Sequence, residues 1–207
     1  MVTLVKICGL TRVGDAKTAA RLGAQAIGVV LYPKSPRYVT NRQARSIVDA
    51  LPPFVTPVAL MVNPTGEEVE TAIREVRPAL LQFHGEETPE FCGRFSLPYI
   101  KALRVGPETD LLQYAGDYAA AKGLLLDAFV EGARGGTGTT FDWSVIPTGF
   151  PLPLVLAGGL DASNVAEAVR RVRPWAVDVS SGVEVGKGLK DAAKMAAFIR
   201  GVRDADV

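Results

Sequence analysis

Cysteine, histidine and long apolar runs are all scarce in this chain of 207 residues, which has two cysteines, Cys8 and Cys92, and one histidine, His84. Two cysteines without CxxC spacing and a single histidine supply too few groups for a zinc site or a disulfide scaffold. We therefore expect no metal and a reducing, cytoplasmic compartment. No stretch approaches the ~20 apolar residues of a membrane span, and the start of the chain lacks the pattern of a secretory signal.

An excess of charge is missing too. The 23 basic and 22 acidic residues leave a formal net charge of +1, so no global field exists to attract nucleic acid or an anionic membrane. We expect neither as a partner, and any anionic ligand has to be held by local groups. With 48% apolar and 22% charged residues, the composition is that of a soluble globular protein, and the length predicts a single domain over 1–207.

Short apolar runs, rich in leucine and β-branched residues, recur along the chain. They span residues 2–8, 26–32, 55–62, 79–84, 98–105, 123–129, 153–158 and 176–181. Most are nearly continuous, as in parallel strands buried on both faces. Helical patterns lie between them, with apolar residues at i, i+3, i+4 and i+7 in 41–51 and 66–76. In a third pattern, over 160–172, Asp161 is the predicted N-cap.

The alternation of strand and helix predicts an α/β fold, a (βα)8 TIM barrel. The eight runs recur about every 25 residues, and eight such units close a parallel barrel. Because the chain is shorter than the ~250 residues typical of this fold, its helices and loops must be short. An open doubly wound sheet is the alternative, but the even spacing favours closure.

The carboxyl ends of barrel strands carry the chemistry, and two glycine-bearing segments lie there. Gly158-Gly159 follows the seventh run and Ser180-Ser181-Gly182 follows the eighth, the position at which such barrels bind phosphate through backbone N–H groups. Each segment alone could be only a tight turn. Their joint occurrence after the last two of eight strands favours a phosphate site.

Cys8 and Asp127 are the candidate acid and base groups at the same strand ends. A helix beginning near Thr11 would favour the Cys8 thiolate, although a free cysteine usually packs in the core, as we expect of Cys92. Asp127 ends the run LLLD, where desolvation can make a carboxyl a general acid, although a solvated turn aspartate is the common case. His84 is expected to be a hydrogen-bonded rim residue rather than a catalyst.

Three further features have a functional and a structural interpretation. Arg37 follows a stiff Ser-Pro pair and could present its guanidinium to a carboxylate. Asp178 lies inside a strand and needs a partner, so it could anchor the structure or contact a ligand. Gly135 and Gly136 belong to a glycine-rich segment that matches neither a Walker loop nor a dinucleotide fingerprint. It could be a mobile lid or a flexible connection.

In this order along the chain, KICGLT, SPRYVT, QFHGEE, LLLDAF, GGTGTTFDW, LAGGL and VDVSSGVE closely resemble the phosphoribosylanthranilate isomerases of tryptophan biosynthesis. The resemblance implies a barrel that performs an Amadori rearrangement of N-(5-phosphoribosyl)anthranilate without metal or cofactor. By motif, Cys8 is implied as general base, Asp127 as general acid and Arg37 as the group that binds the anthranilate carboxylate. The resemblance also implies that the phosphate is bound by Gly158, Gly159, Ser180, Ser181 and Gly182, and that Asp178 lies near the anthranilate ring or its amine.

Two departures from the family pattern are visible, Thr139 where lysine is frequent and the final segment VEVGKGLKD. They bear on the lid and the last loop rather than on the acid and base. Among other sugar-phosphate barrels, metal-dependent epimerases are disfavoured by the lone histidine. An indole-forming synthase stays open because Lys6 and Lys101 lie in predicted strands, and a phosphate-binding module without catalysis also stays open. A homodimer is among the assemblies that the sequence leaves open.

Overall fold

Eight parallel strands close into a barrel in the order of the sequence, from β1 to β8. The computed structural model describes residues 2–106, 108–128 and 142–206. The strands are β1 (Leu4–Cys8), β2 (Ala26–Val30), β3 (Thr56–Met61), β4 (Leu80–Phe83), β5 (Tyr99–Val105), β6 (Leu124–Ala128), β7 (Leu154–Leu156) and β8 (Ala176–Val179). The predicted (βα)8 barrel is confirmed, and the open sheet is excluded because β1 pairs with β8.

Short helices surround this barrel, as the chain length predicts. They are α1 (Val13–Leu22), α2 (Asn41–Asp49), α3 (Gly66–Val76), α4 (Pro89–Gly93), α5 (Leu111–Asp117), α6 (Val165–Val172) and α7 (Ala192–Ala205). After β6, the described residues contain a 3-10 turn, Trp143–Val145, in place of an α-helix. A small hairpin of β9 (Glu184–Gly186) and β10 (Leu189–Lys190) follows β8. No helix in the described ranges is long and apolar enough to span a bilayer.

Local capping explains where the predicted helices begin. Thr40 and Thr65 form capping boxes with Gln43 and Glu68, so α2 and α3 begin where the sequence predicts. The predicted N-cap at Asp161 is wrong, because α6 begins only at Val165. The Asp161 carboxylate instead accepts a hydrogen bond from the backbone N–H of Ser163 at 2.7 Å. A short polar side chain that bonds two residues onward stabilises a turn rather than a helix start.

The apolar core divides into one cluster outside the barrel and two inside it. The outer cluster packs strands against helices and contains Phe83, Leu126 and Phe198. One inner cluster consists of Ile100, Ala102, Leu125, Val155, Ala157 and Ala176. The other consists of Cys8, Val30 and Leu60, near the carboxyl ends of β1 to β3. Because side chains alternate along a strand, residues two apart share the interior, and this rule identifies the polar groups that point into it.

Candidate active site

Cys8 is the last residue of β1 and lies inside the barrel mouth. It is 4% exposed and packs with Val30 and Leu60. On the neighbouring strand, an added Cβ at Gly28 would lie 2.7 Å from Cys8 Sγ. The thiol therefore occupies space that glycine leaves open. This role of Gly28 was not predicted from the sequence, although a glycine inside an apolar strand is a known signal of close approach.

An ion pair lies one layer below the thiol. Lys6 Nζ donates to Asp178 Oδ1 at 2.8 Å, and both side chains are less than a tenth exposed. Asp178 thus has the partner that a charge inside a strand requires. Burial would lower the pKa of Lys6, but Asp178 and Cys8 raise it above its ordinary value. Lys6 is therefore held as an ammonium beside the Cys8 thiol.

The Cys8 thiol itself has a pKa above its ordinary value. Burial is the largest cause of this increase, and the charge of Asp178 adds to it. Lys6 and Lys190 act in the opposite direction but offset only part of the increase. The prediction that a helix amino end near Thr11 favours the thiolate is therefore wrong for the free protein. The first helix begins two residues later, at Val13, and the desolvation of the thiol outweighs the neighbouring cations.

Asp127 lies one residue before the end of β6 and is 7% exposed, so it is not a solvated turn residue. Its Oδ2 is 3.3 Å from Nε2 of His84, which follows β4 at the same end of the barrel. The other ring nitrogen of His84, Nδ1, is 3.0 Å from Nε2 of Gln82. His84 is thus the hydrogen-bonded rim residue that the sequence predicts. Its contact with Asp127 and the chain back to Gln82 were not predicted.

The guanidinium of Arg37 is held by a carboxylate of the chain. Arg37 Nε and Nη2 donate to Glu184 Oε1 and Oε2 at 2.8 and 2.7 Å, and this pairing raises the pKa of Arg37. Lys190 Nζ also donates to Glu184 Oε1, at 2.8 Å, and to the backbone oxygen of Ser180 at 2.9 Å. Two basic side chains share one carboxylate here. This side of the mouth therefore has the local excess of positive charge that an anionic ligand requires in a nearly neutral chain.

Gly9 is the point at which three loops meet beside Cys8. It has a φ of 75°, and an added Cβ would lie 2.5 Å from Arg37 Cδ and 3.0 Å from Ser180 Oγ. Glycine adopts this conformation without strain and leaves room for both neighbours. The loops after β1, β2 and β8 are therefore in contact at the mouth.

The two segments predicted to bind phosphate also meet. Gly158 and Gly159 have φ values of 81° and 62°, in the region that favours glycine. Gly182 lies in the 3-10 turn Ser181–Val183, and an added Cβ there would collide with the backbone oxygen of Leu160. The loops after β7 and β8 thus form one continuous surface next to Ser180.

Other candidates lie elsewhere or outside the described residues. Lys101 points to the outer face of β5, where its Nζ donates to Glu87 Oε2 at 2.8 Å and lies 5.7 Å from the Tyr118 ring centroid. It therefore cannot supply the interior lysine of an indole-forming synthase. Cys92 is buried in the outer cluster, as predicted. The predicted lid residues Gly135 and Gly136, like Thr139, lie outside the described residues.

One cavity among the described residues is offset from these groups. It has a volume of about 820 Å³ and lies between the ends of β4 and β5 and helix α5, with His84, Arg104 and Tyr118 in its lining. It reaches His84 but includes neither Cys8 nor Asp127. It is therefore an extension of the mouth toward α5 rather than its centre.

Taken as a whole, the fold and the site define a class, the TIM-barrel enzymes whose titratable groups lie at the carboxyl ends of the strands. Over residues 5–201 the chain matches the family model of N-(5'phosphoribosyl)anthranilate (PRA) isomerase. An N-(5'-phosphoribosyl)anthranilate isomerase of Nitrosospira multiformis is 58% identical over 198 residues, 96% of this chain and 95% of the relative. The chain belongs to the phosphoribosylanthranilate isomerase family and is an enzyme of the isomerase class.

Solved structures agree with this family. The phosphoribosyl anthranilate isomerase of Thermotoga maritima has a TM-score of 0.90 and 41% identity over 99% of this chain and all of that one. A second isomerase was solved with reduced 1-(o-carboxyphenylamino)-1-deoxyribulose 5-phosphate, and has a TM-score of 0.86 and 40% identity over 99% of this chain and 100% of that one. A third structure shows monomers generated from the dimeric T. maritima isomerase (TM-score 0.86, 38% identity, covering 99% of this chain and 100% of that one).

Proposed function

We propose that this chain converts N-(5-phosphoribosyl)anthranilate to 1-(2-carboxyphenylamino)-1-deoxyribulose 5-phosphate in tryptophan biosynthesis, with Asp127 as general acid and Cys8 as general base. Family membership supports the reaction, as does the related isomerase solved with the reduced form of this product. The observation that carries the residue assignment is the burial of one thiol and one carboxyl at the carboxyl ends of β1 and β6 in the same closed barrel.

The proposed reaction begins at the ribose ring oxygen. Asp127 donates its carboxyl proton to that oxygen as the bond from the oxygen to C1′ breaks, and the nitrogen lone pair forms the C1′=N iminium. The Cys8 thiolate then removes the proton from C2′. The released electron pair forms the C1′=C2′ bond and neutralises the nitrogen, and the resulting enolamine tautomerises to the ketone at C2′.

The raised pKa of Cys8 is compatible with this role. A thiolate whose thiol has a higher pKa is a stronger base. Because the iminium also acidifies the neighbouring C2′–H bond, one thiolate suffices to remove that proton. Once formed, the thiolate is stabilised by the ammonium of Lys6 and by the cationic iminium. Asp178 keeps Lys6 in place below the thiol. A direct contact between Asp178 and the anthranilate stays a prediction.

Binding of the substrate is assigned to groups around Gly9. Glu184 uses the Nε and Nη2 edge of Arg37, and a guanidinium has five donors, so Nη1 is the donor proposed for the anthranilate carboxylate. Backbone N–H groups of the glycine-bearing loops after β7 and β8 are proposed to bind the phosphate. These are Gly158, Gly159, Ser180, Ser181 and Gly182. A lid that includes Gly135 and Gly136 stays a prediction.

The decisive test of this function is direct turnover. We expect purified protein, in buffer that contains a chelating agent and no added metal, to convert phosphoribosyl anthranilate, observed as a loss of anthranilate-type fluorescence. The rate should exceed the spontaneous decay of the substrate and increase linearly with enzyme concentration. A decay that is no faster than the spontaneous reaction would contradict the assignment.

We also propose that the chain forms a homodimer, as the T. maritima isomerase does. Phe54 is fully exposed in the loop before β3 and has a φ of 69°, a left-handed conformation that costs energy for a residue other than glycine. A second copy that covers this ring would offset the cost. We expect sedimentation to give a dimer for the wild type and for Leu112→Asp, a change at an exposed leucine of α5, and a monomer for Phe54→Asp. A monomeric wild type at micromolar concentration would contradict the proposal.

Two further proposals concern the domain organisation of the chain and its cellular compartment. We propose that residues 1–207 form a single domain, since the closed barrel joins the first strand to the last and α7 packs against both α1 and α6. We propose a cytoplasmic location, which the two free thiols Cys8 and Cys92 support.

A further inference from the structure

Gln82 is a polar side chain in an apolar position. It is completely buried in the middle of β4, and it pairs in register with Leu60 on β3 and Ile100 on β5. Neither neighbour can bond to an amide. A buried amide is unfavourable unless its polar atoms are paired, so the partners of Gln82 indicate why it is there.

The described partner of Gln82 is His84. Gln82 Nε2 is 3.0 Å from His84 Nδ1, and the other ring nitrogen, Nε2, is 3.3 Å from Asp127 Oδ2. Gln82 Oε1 is buried and has no hydrogen-bond partner among the described residues. The three side chains therefore form a linear chain that runs from the barrel interior to the proposed general acid.

Hydrogen-bond chemistry gives this chain a direction. An amide nitrogen only donates, so it requires a lone pair on His84 Nδ1. A neutral imidazole with a lone pair on Nδ1 carries its hydrogen on Nε2, and that hydrogen points at the Asp127 carboxylate. If the amide were rotated, its oxygen would require a hydrogen on Nδ1. The lone pair of Nε2 would then face Asp127, and two acceptors would meet as soon as Asp127 gives up its proton.

We infer that Gln82 is a positioning residue that holds His84 in the tautomer with hydrogen on Nε2, so that His84 stabilises the carboxylate formed when Asp127 gives up its proton. The inference rests on the proposed function for its catalytic meaning, since it takes Asp127 as the general acid. A hydrogen bond donated to the ionised form of a carboxyl group favours that form. The hydrogen bond from His84 therefore assists proton donation at the moment when charge develops on Asp127. His84 is also held at both nitrogens, which fixes the plane of its ring.

Because His84 is the only histidine in the chain, its tautomer can be measured without ambiguity. We would record ring nitrogen NMR of the wild-type enzyme labelled with ¹⁵N-histidine at alkaline pH, where the shifts of the two ring nitrogens show which of them carries the hydrogen. We expect a protonated Nε2 and an unprotonated Nδ1. A protonated Nδ1 with an unprotonated Nε2 overturns the inference. This measurement needs no variant, so it does not depend on whether a substituted core folds.

Two substitutions test whether Gln82 is responsible. In Gln82→Glu the carboxylate can only accept, so we expect Nδ1 to become protonated at the same pH. In Gln82→Met the volume is similar but the hydrogen bond is lost. We expect kcat to fall at least tenfold in both, and by less than the ~10²–10⁴-fold that loss of the general acid itself would cause, with KM changed less than kcat. Gln113→Met, at an exposed position of α5, is the matched control and should keep wild-type kcat.

The outcomes separate this inference from the proposed function. If Gln82→Met folds, as judged by its thermal unfolding, and keeps wild-type kcat, Gln82 is not a positioning residue and the inference is wrong. If Asp127→Asn keeps full turnover while the wild-type NMR shows hydrogen on Nε2, the role of Asp127 is wrong although the tautomer is as inferred. If Asp127→Asn is inactive and the NMR shows hydrogen on Nδ1, only the inference is wrong.

Discussion

Replacement of Cys8 by serine is expected to lower kcat by ~10²–10⁴-fold, the range that general-base catalysis contributes. A serine hydroxyl fits the space left by Gly28, but an alkoxide is far less accessible than a thiolate near neutral pH. The substitution leaves the neighbouring charges of Lys6 and Asp178 unchanged, together with Arg37 and the loops that are proposed to bind phosphate. Affinity for a phosphorylated product analogue should therefore stay near the wild-type value. Steady-state turnover and calorimetric titration of the analogue measure the two quantities separately.

Cys92→Ser is the matched control for this experiment. Cys92 is the other free cysteine, and it is buried in the outer cluster, where burial raises its pKa to about 12. The substitution can lower stability, but turnover per folded molecule should be unchanged. The base assignment would be refuted by a Cys8→Ser enzyme with wild-type kcat. Equal loss of product-analogue affinity and turnover would instead identify Cys8 as a packing residue.

Asp127→Asn is expected to have a comparable effect, again a loss of ~10²–10⁴-fold in kcat. The amide has the shape of the carboxyl group and can still accept a hydrogen bond from His84 Nε2, but it has no acidic proton to give to the ring oxygen. Product-analogue affinity should again persist. Turnover at several pH values is the measurement, and no pH should restore the activity.

Asp49→Asn is the control for the change from carboxylate to amide. Asp49 is exposed at the end of α2, where it pairs with Arg45, and an exposed pair of this kind contributes ~0–1 kcal/mol to stability. Its kcat should equal that of the wild type. An Asp127→Asn enzyme as active as this control would exclude Asp127 as the acid.

The fold was largely predictable because its signals are local and repeated. Eight apolar runs at a constant spacing predict eight parallel strands, and a threonine followed three residues later by glutamine or glutamate marks the starts of α2 and α3. The start of α6 was mispredicted because Asp161 and Asn164 both resemble caps. Which of them lies next to the helix depends on the turn between them, and the sequence does not specify that turn.

The candidate site was predictable only in part. Cys8 and Asp127 could be assigned to one end of the barrel because parallel strands all place their carboxyl ends on the same side. Their neighbours could not be assigned. Glu184 holds Arg37 across 147 positions of sequence, and His84 meets Asp127 across 43. Such contacts depend on strand register and on the direction of each side chain, so no local sequence pattern predicts them.

The sequence by itself determined the closed barrel, the end at which its titratable groups lie, and the family to which the chain belongs. The reason is that strand periodicity and short motifs are properties of neighbouring residues. Only the tertiary structure decided the electrostatic state of those groups. Desolvation in the barrel mouth raises the pKa of Cys8 despite nearby cations, and Lys6 keeps its charge through Asp178. Gln82, His84 and Asp127 lie in hydrogen-bond contact, the geometry from which the tautomer of His84 is inferred. Charge and proton positions depend on distance and burial in three dimensions, which closure of the barrel creates.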